Sequence, residues 1–356
     1  MTLPRIRDDL ALFSGYHSPQ LDVEVRLNTN EAPVPPPAAF VEELAEAVRA
    51  VAWNRYPDRS ATILRERIAA HHGVDPTMVF AANGSNEVLQ CLLLAYTGPG
   101  RRVVVFEPTY ALHSHIAHLV GAEIVTGERG DDFTVDPVAA AELIDEVGPA
   151  VVFVCSPNNP TGVVESPAVL ASVLGAARAA GALVVVDEAY GQFATTTAVD
   201  HVDADTPLAV TRTFSKTWSM AAARLGYVVA PPSVVEDLET VVLPYHLDAV
   251  TQVAGTLAFD HLDAMTERVA ALVTERRRLV AGLDALPVDQ WPSGSNFVLF
   301  RPRDLSGDEV WQGLVDRSIL VRNCASWPRL EGCLRVTVGT EAENTSFLAA
   351  LGEILG

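Results

Sequence analysis

Five short runs rich in β-branched residues punctuate the chain: VVVF at 103–106, VVFVC at 151–155, LVVVD at 183–187, LAVT at 208–211 and GYVVA at 226–230. Between them lie alanine- and leucine-rich stretches of helical character, and one of these, ASVLGAARAAG at 171–181, ends on a glycine suited to a helix C-terminus. This alternation restricts the chain to an α/β fold with a mostly parallel central sheet between helices. The prolines of VPPP (34–37) separate an N-terminal arm, 1–35, from a helix at 38–52. A large domain is expected over 36–240, its last strand closed by Pro231-Pro232. From 241 the pattern changes to long helices and then shorter strands, NFVLF at 296–300 and LRVTV at 334–338, which predicts a smaller α+β domain over 241–356.

Composition narrows the partners. With 356 residues, 49% of them hydrophobic, the chain can supply two cores without staples. A formal charge of −20 argues against nucleic acid or an anionic membrane, both of which need a basic face. The four cysteines, Cys91, Cys155, Cys324 and Cys333, have neither CxxC nor CxxH spacing, so no disulfide framework or zinc site is expected. The segment after Met1 has no apolar core of a signal peptide, and the longest apolar runs are too short to span a bilayer, so a cytoplasmic protein is expected.

Ligands of open α/β sheets collect beyond the carboxyl ends of the strands. There, SPNNPTG (156–162) follows VVFVC, EAY (188–190) follows LVVVD, and RTFSK (212–216) follows LAVT. Three strands thus deliver Asn159, Asp187 with Tyr190, and Lys216 to one edge. Taken singly, each has an ordinary structural reading as a turn, a cap or a surface charge. Together they suit pyridoxal 5′-phosphate: a lysine for its aldehyde, an acid for its ring nitrogen, and donors for its phenolic oxygen. Its phosphate would sit where NGSNE (83–87) opens a helix, on the free N–H groups near Gly84, Ser85 and Asn86. Thr213, Ser215 and Arg224 would complete the cradle, and Tyr110 would stack on the ring.

Ten segments in order carry a resemblance over nearly the whole chain: RLNTNEAP (26–33), NRYPD (54–58), AANGSNE (81–87), EPTY (107–110), SPNNPTG, VVDEAY (185–190), TFSKTWSMAAARLGY (213–227), LPYH (243–246), SNFV (295–298) and LRVTVGT (334–340). With them the sequence resembles the fold type I pyridoxal-phosphate aminotransferases, and within these the histidinol-phosphate aminotransferases. The resemblance implies that Lys216 binds the cofactor aldehyde and then serves as acid and base in a ping-pong transamination, with 2-oxoglutarate as amino acceptor. It implies a homodimer in which Tyr56 reaches the neighbouring subunit's cofactor phosphate. It also assigns the substrate phosphate to Arg322 and Arg335, with Tyr16, Asn30 and Tyr245 nearby; two arginines suit a dianion. Three positions depart from the family pattern: Ala222 where glycine is usual, Ala32 in NEAP, and the loop NCASWPRLEGC (323–333).

Rival functions within the fold are an aromatic or phenylalanine aminotransferase and a threonine-phosphate decarboxylase. A non-enzymatic cofactor-sensing domain would need a DNA-binding head that the roughly 30-residue arm cannot supply. HSHIAH (113–118) offers three histidines, but on a helix only His115 and His118 share a face, so no metal site is expected. His71-His72 before Gly73 suits a helix C-terminus, and TERRRL (274–279) reads as a solvated helix face.

Overall fold

The computed structural model describes residues 3–10 and 20–356, and in them the valine-rich runs become the centre of a seven-stranded sheet. In chain order, β1 (Val25–Leu27) leads to α1 (Ala38–Arg49), α2 (Thr62–His72), β2 (Val79–Asn83), α3 (Gly84–Tyr96), β3 (Arg102–Glu107) and α4 (Ala111–Leu119). Next come β4 (Glu123–Glu128), α5 (Pro137–Val147), β5 (Val151–Cys155), α6 (Pro167–Ala180), β6 (Leu183–Asp187), β7 (Leu208–Thr213) and β8 (Leu225–Val229). The remainder comprises α7 (Pro232–Val241), α8 (Ala249–Ala258), α9 (Leu262–Asp284), β9 (Val288–Gln290) and β10 (Phe297–Pro302). It ends with α10 (Gly307–Val315), β11 (Ile319–Asn323), β12 (Leu334–Thr337) and α11 (Glu341–Leu355).

The large sheet runs β2-β8-β7-β6-β5-β3-β4, parallel from β7 through β4. Strands covered on both faces read as unbroken apolar runs, and every residue of β5, β6 and β7 is buried. Alternation still sorts their side chains: Val152, Val154, Val184, Val186 and Val210 pack on the layer of α2, α5, α6 and α8. Val151, Phe153, Leu183, Val185 and Ala209 pack on the layer of α3, α4 and α7. α6 stops at Gly181, whose φ of +68° takes the left-handed turn open to glycine. GYVVA is antiparallel to its neighbours, against the parallel alternation expected of it. Its link from β7 holds the lysine loop and one 3₁₀ turn, too little for the helix that a parallel crossover needs.

A second sheet, β1-β11-β12-β10-β9, is covered by α9, α10 and α11. β1 joins it parallel to β11, so a strand from the start of the chain lies in a sheet built from its end. The core of the large sheet in turn takes in Leu247, Ala254, Ala258 and Met265, from beyond α7. No helix among the described residues is long and apolar enough to cross a membrane.

Candidate active site

β5, β6 and β7 lie in register, Cys155 opposite Asp187 and Asp187 opposite Thr211, so the segments after their carboxyl ends meet in one cavity of about 450 Å³. Asn159, Asp187, Tyr190, Thr213, Ser215 and Lys216 line it. Ser85 and Asn86 enter from the start of α3, Tyr110 from the residue before α4, and Arg224 from the turn before β8. Asn30 and Arg335 close it from the second sheet's side.

Lys216 is the chain's one lysine. Its Nζ donates to the Thr29 carbonyl at 3.1 Å. Burial pushes its pKa down to about 8, helped by the Arg335 and Arg224 cations and opposed by Glu31. An amine in that range carries a usable lone pair near neutral pH.

Asp187 is 2% exposed, and its carboxylate is held from three directions. Oδ1 accepts from the Ala189 N–H at 3.1 Å and the Thr211 hydroxyl at 3.2 Å. Oδ2 lies 3.0 Å from His113 Nε2. A carboxylate only accepts, so His113 Nε2 is the donor in this contact, and Nδ1 is buried without a hydrogen-bond partner. The imidazole stacks on Phe153 at 4.4 Å between centroids, 5° from parallel. His113 and Thr211 are the functional residues that strand-end reading misses. Thr211 has a signal, since it ends the LAVT run beside LVVVD. For His113 the only cue is its place three residues after Tyr110, one helical turn back into the core.

Tyr190 is buried, and its hydroxyl accepts from Asn30 Nδ2 at 2.9 Å. Burial raises the phenol to about 12 against the pull of Arg335, so it stays protonated. Tyr110 donates to Asn86 Oδ1 at 3.2 Å. The Thr213 and Ser215 hydroxyls are 3.0 Å apart, beside the first N–H groups of α3. Arg224 holds a left-handed conformation, φ 52°, and its guanidinium passes so close to Gly84 that a Cβ there would lie 2.8 Å from Nη2. Ala221 and Ala222 also line the cavity.

Arg335 is 5% exposed and donates to Asn159 Oδ1 and to the Asn28 carbonyl, the latter at 3.0 Å. Arg322 is opposite Arg335 on the neighbouring strand but does not line the cavity; its guanidinium lies 5.2 Å from the Trp327 ring, which does. Tyr56 and Tyr245 stack on one another at 4.4 Å, 78% and 42% exposed, and neither joins the cavity wall. Tyr16 lies outside the described residues. The HSHIAH segment is helical, but no three acid, His or Cys groups among the described residues are arranged to hold a metal ion. His72 bonds to the Tyr227 hydroxyl at 2.8 Å, where a contact with its own helix's last carbonyls was expected.

The donor set fits pyridoxal 5′-phosphate: an amine for the aldehyde, a fixed carboxylate for a protonated pyridine nitrogen, a neutral phenol and amide for the phenolic oxygen. Hydroxyls, a guanidinium and a helix N-terminus suit the phosphate. Residues 23–351 match the family model described as aminotransferase class I and II. The chain belongs to this family. Among the aminotransferase's relatives, the histidinol-phosphate aminotransferase of Frankia casuarinae is 44% identical, covering 98% of this chain and 90% of that one. The same-named protein of Streptomyces avermitilis is 45% identical, covering 98% and 96%. In fold, the aminotransferase matches the crystal structure of histidinol-phosphate aminotransferase from Sinorhizobium meliloti in complex with pyridoxal-5′-phosphate, TM-score 0.88 at 21% identity, covering 99% and 98%.

Proposed function

We propose that this aminotransferase moves the amino group of histidinol phosphate to 2-oxoglutarate, giving imidazole-acetol phosphate and glutamate, in histidine biosynthesis. The reading is carried by the likeness, at 44–45% identity over nearly its whole length, to proteins bearing that enzyme's name. When bound, pyridoxal 5′-phosphate supplies an aldehyde to carry the amino group and a ring that accepts the electron pair left at Cα.

The roles of the residues follow from their surroundings. Lys216 Nζ would hold the cofactor's aldehyde and, as a free amine, would serve as the base and acid that moves the Cα proton. Its lowered pKa, about 8, leaves roughly a tenth of the amine neutral at pH 7 and about half at pH 8. Asp187, fixed by Thr211, Ala189 and His113, would hold the ring nitrogen and keep a proton there. Asn159 and Tyr190 donate to the phenolic oxygen, while Ser85, Asn86, Thr213, Ser215 and Arg224 cradle the cofactor phosphate. Arg335 takes the substrate anion, a phosphate in one half-reaction and a carboxylate in the other, with Arg322 and Asn30 as neighbours.

A second copy completes the site. Tyr56 and Tyr245 form an exposed aromatic stack, and Trp53 and Leu243, close to them in sequence, are 71% and 76% exposed, the kind of apolar surface that a partner covers. We read the enzyme as a cytoplasmic homodimer, each chain divided into an arm, a large domain whose core extends through α8 to Met265, and a small domain.

The test is a single-turnover titration of cofactor-loaded protein with histidinol phosphate and, in parallel, phenylalanine, following the cofactor's absorbance. Faster conversion by histidinol phosphate is expected. The reverse order would keep the lysine site and discard the substrate.

A further inference from the structure

We propose that Trp327 is a positioning residue for the substrate's phosphate, fixing Arg322 beside Arg335 so that the pair meets a phosphate while Arg335 alone serves a carboxylate. The inference rests on the substrate reading above.

Arg322 and Arg335 are direct cross-strand partners, which sets two like charges on neighbouring strands, Arg335 in the cavity wall and Arg322 behind it. Each guanidinium lies over an aromatic ring, Arg335 over Phe297 at 5.0 Å and Arg322 over Trp327 at 5.2 Å. Arg335 is further tied to Asn159 and the Asn28 carbonyl. The Trp327 ring is itself fixed. It is 8% exposed, and its Nε1–H donates to the Thr109 carbonyl at 3.0 Å, one residue before the cavity's Tyr110.

The loop that carries Trp327 is clamped at both ends. Cys324 N–H bonds to the Cys333 carbonyl at 2.9 Å, continuing the strand pairing. Arg329 reaches across to Asp131 at 3.0 Å and to the carbonyls of Arg129 and Gly130. The indole is therefore a rigid wall with the cavity on one side and Arg322 against it. A compact carboxylate is served by Arg335. A dianionic phosphate also draws on the second guanidinium, whose position the indole sets.

The test compares half-reactions of the loaded enzyme with histidinol phosphate and with glutamate. Trp327→Leu is expected to raise the histidinol phosphate concentration for half-maximal rate about tenfold, the loss of one desolvated cation–π contact. Its effect on glutamate should be smaller, so that the ratio of the two donors' half-maximal concentrations shifts severalfold toward glutamate. Trp327→Phe, which keeps a ring but not the bond to the Thr109 carbonyl, should recover part of the loss. In an Arg322→Gln background, Trp327→Leu should have no further effect. Equal weakening toward both donors, no change toward histidinol phosphate, failure of Trp327→Phe to recover, or additivity with Arg322→Gln would each overturn the proposal. A wild type that reacts with glutamate and not with histidinol phosphate would instead remove the substrate reading beneath it.

Discussion

The amine of Lys216 and the carboxylate of Asp187 owe their reactivity to what surrounds them. Lys216→Ala should retain the cofactor without a covalent link, so that borohydride leaves no mark on the chain, and turnover should fall by a factor on the order of 10³ or more. A borohydride-stable adduct in the variant would remove the lysine from its role. His113→Phe keeps a ring against Phe153 and deletes the bond to Asp187 Oδ2. Bonds to charged groups contribute about 1.5–3 kcal/mol, so kcat should drop roughly ten- to hundredfold while the substrate KM moves little. An unchanged kcat would make His113 a packing residue. Asn159, Asp187, Tyr190 and Lys216 are legible from sequence because parallel strands end together and the next residues converge. His113 is not, because periodicity places it on a buried helical face without saying which carboxylate waits there. Arg322 shows a wider gap: its strand, β11, is not among the runs legible in the sequence, and the ring it leans on comes from a loop without periodicity.

Among the elements, the contact of β8 with the start of α3 shapes the cofactor's anion site. A Cβ on Gly226 would stand 2.2 Å from Ser85 N and 2.5 Å from the Gly84 carbonyl carbon, both backbone atoms that cannot swing aside. Gly226→Ala should therefore push α3 off β8, lowering stability by about 1–3 kcal/mol and weakening cofactor binding more than tenfold. Urea midpoints and equilibrium dialysis of the cofactor would measure the two effects. A variant that binds the cofactor like wild type would mean that the α3 N–H groups do little of the holding. The five valine-rich strands are legible as runs. β4 is not, because an edge strand of alternating half-buried and exposed residues, EIVTGE, lacks a continuous apolar signal. β2 hides differently, as a short VFAAN fused to the glycine-led helix that drew attention to its polar end. The direction of β8 was hidden by the length of its preceding link, which composition does not reveal.

For the whole molecule, two predictions follow from surface and interior. Sedimentation should give a mass near twice that of one chain, and replacing exposed Leu243 by Asp should shift it toward the monomer with loss of activity. A fully active monomer would refute the shared site. In the interior, burial, with the Arg212 and His71 charges nearby, lowers the pKa of His72 to about 3. Between pH 6.5 and 3 the unfolded chain accepts a proton that the folded chain refuses. Stability should therefore fall with decreasing pH across that window, by up to about 1.4 kcal/mol per unit from this group. Urea unfolding of wild type and His72→Gln at pH 7 and 5 isolates the effect, since the variant should lose less. Finally, a chain whose single lysine faces a cavity offers almost nothing to amine-directed reagents. Acylating cross-linkers, amine-coupled sensor surfaces and succinimidyl dyes would find only the α-amino group and Lys216 Nζ, so a conjugate made at the lysine should be inactive if the proposed role holds. Immobilisation should run through the plentiful surface carboxylates instead.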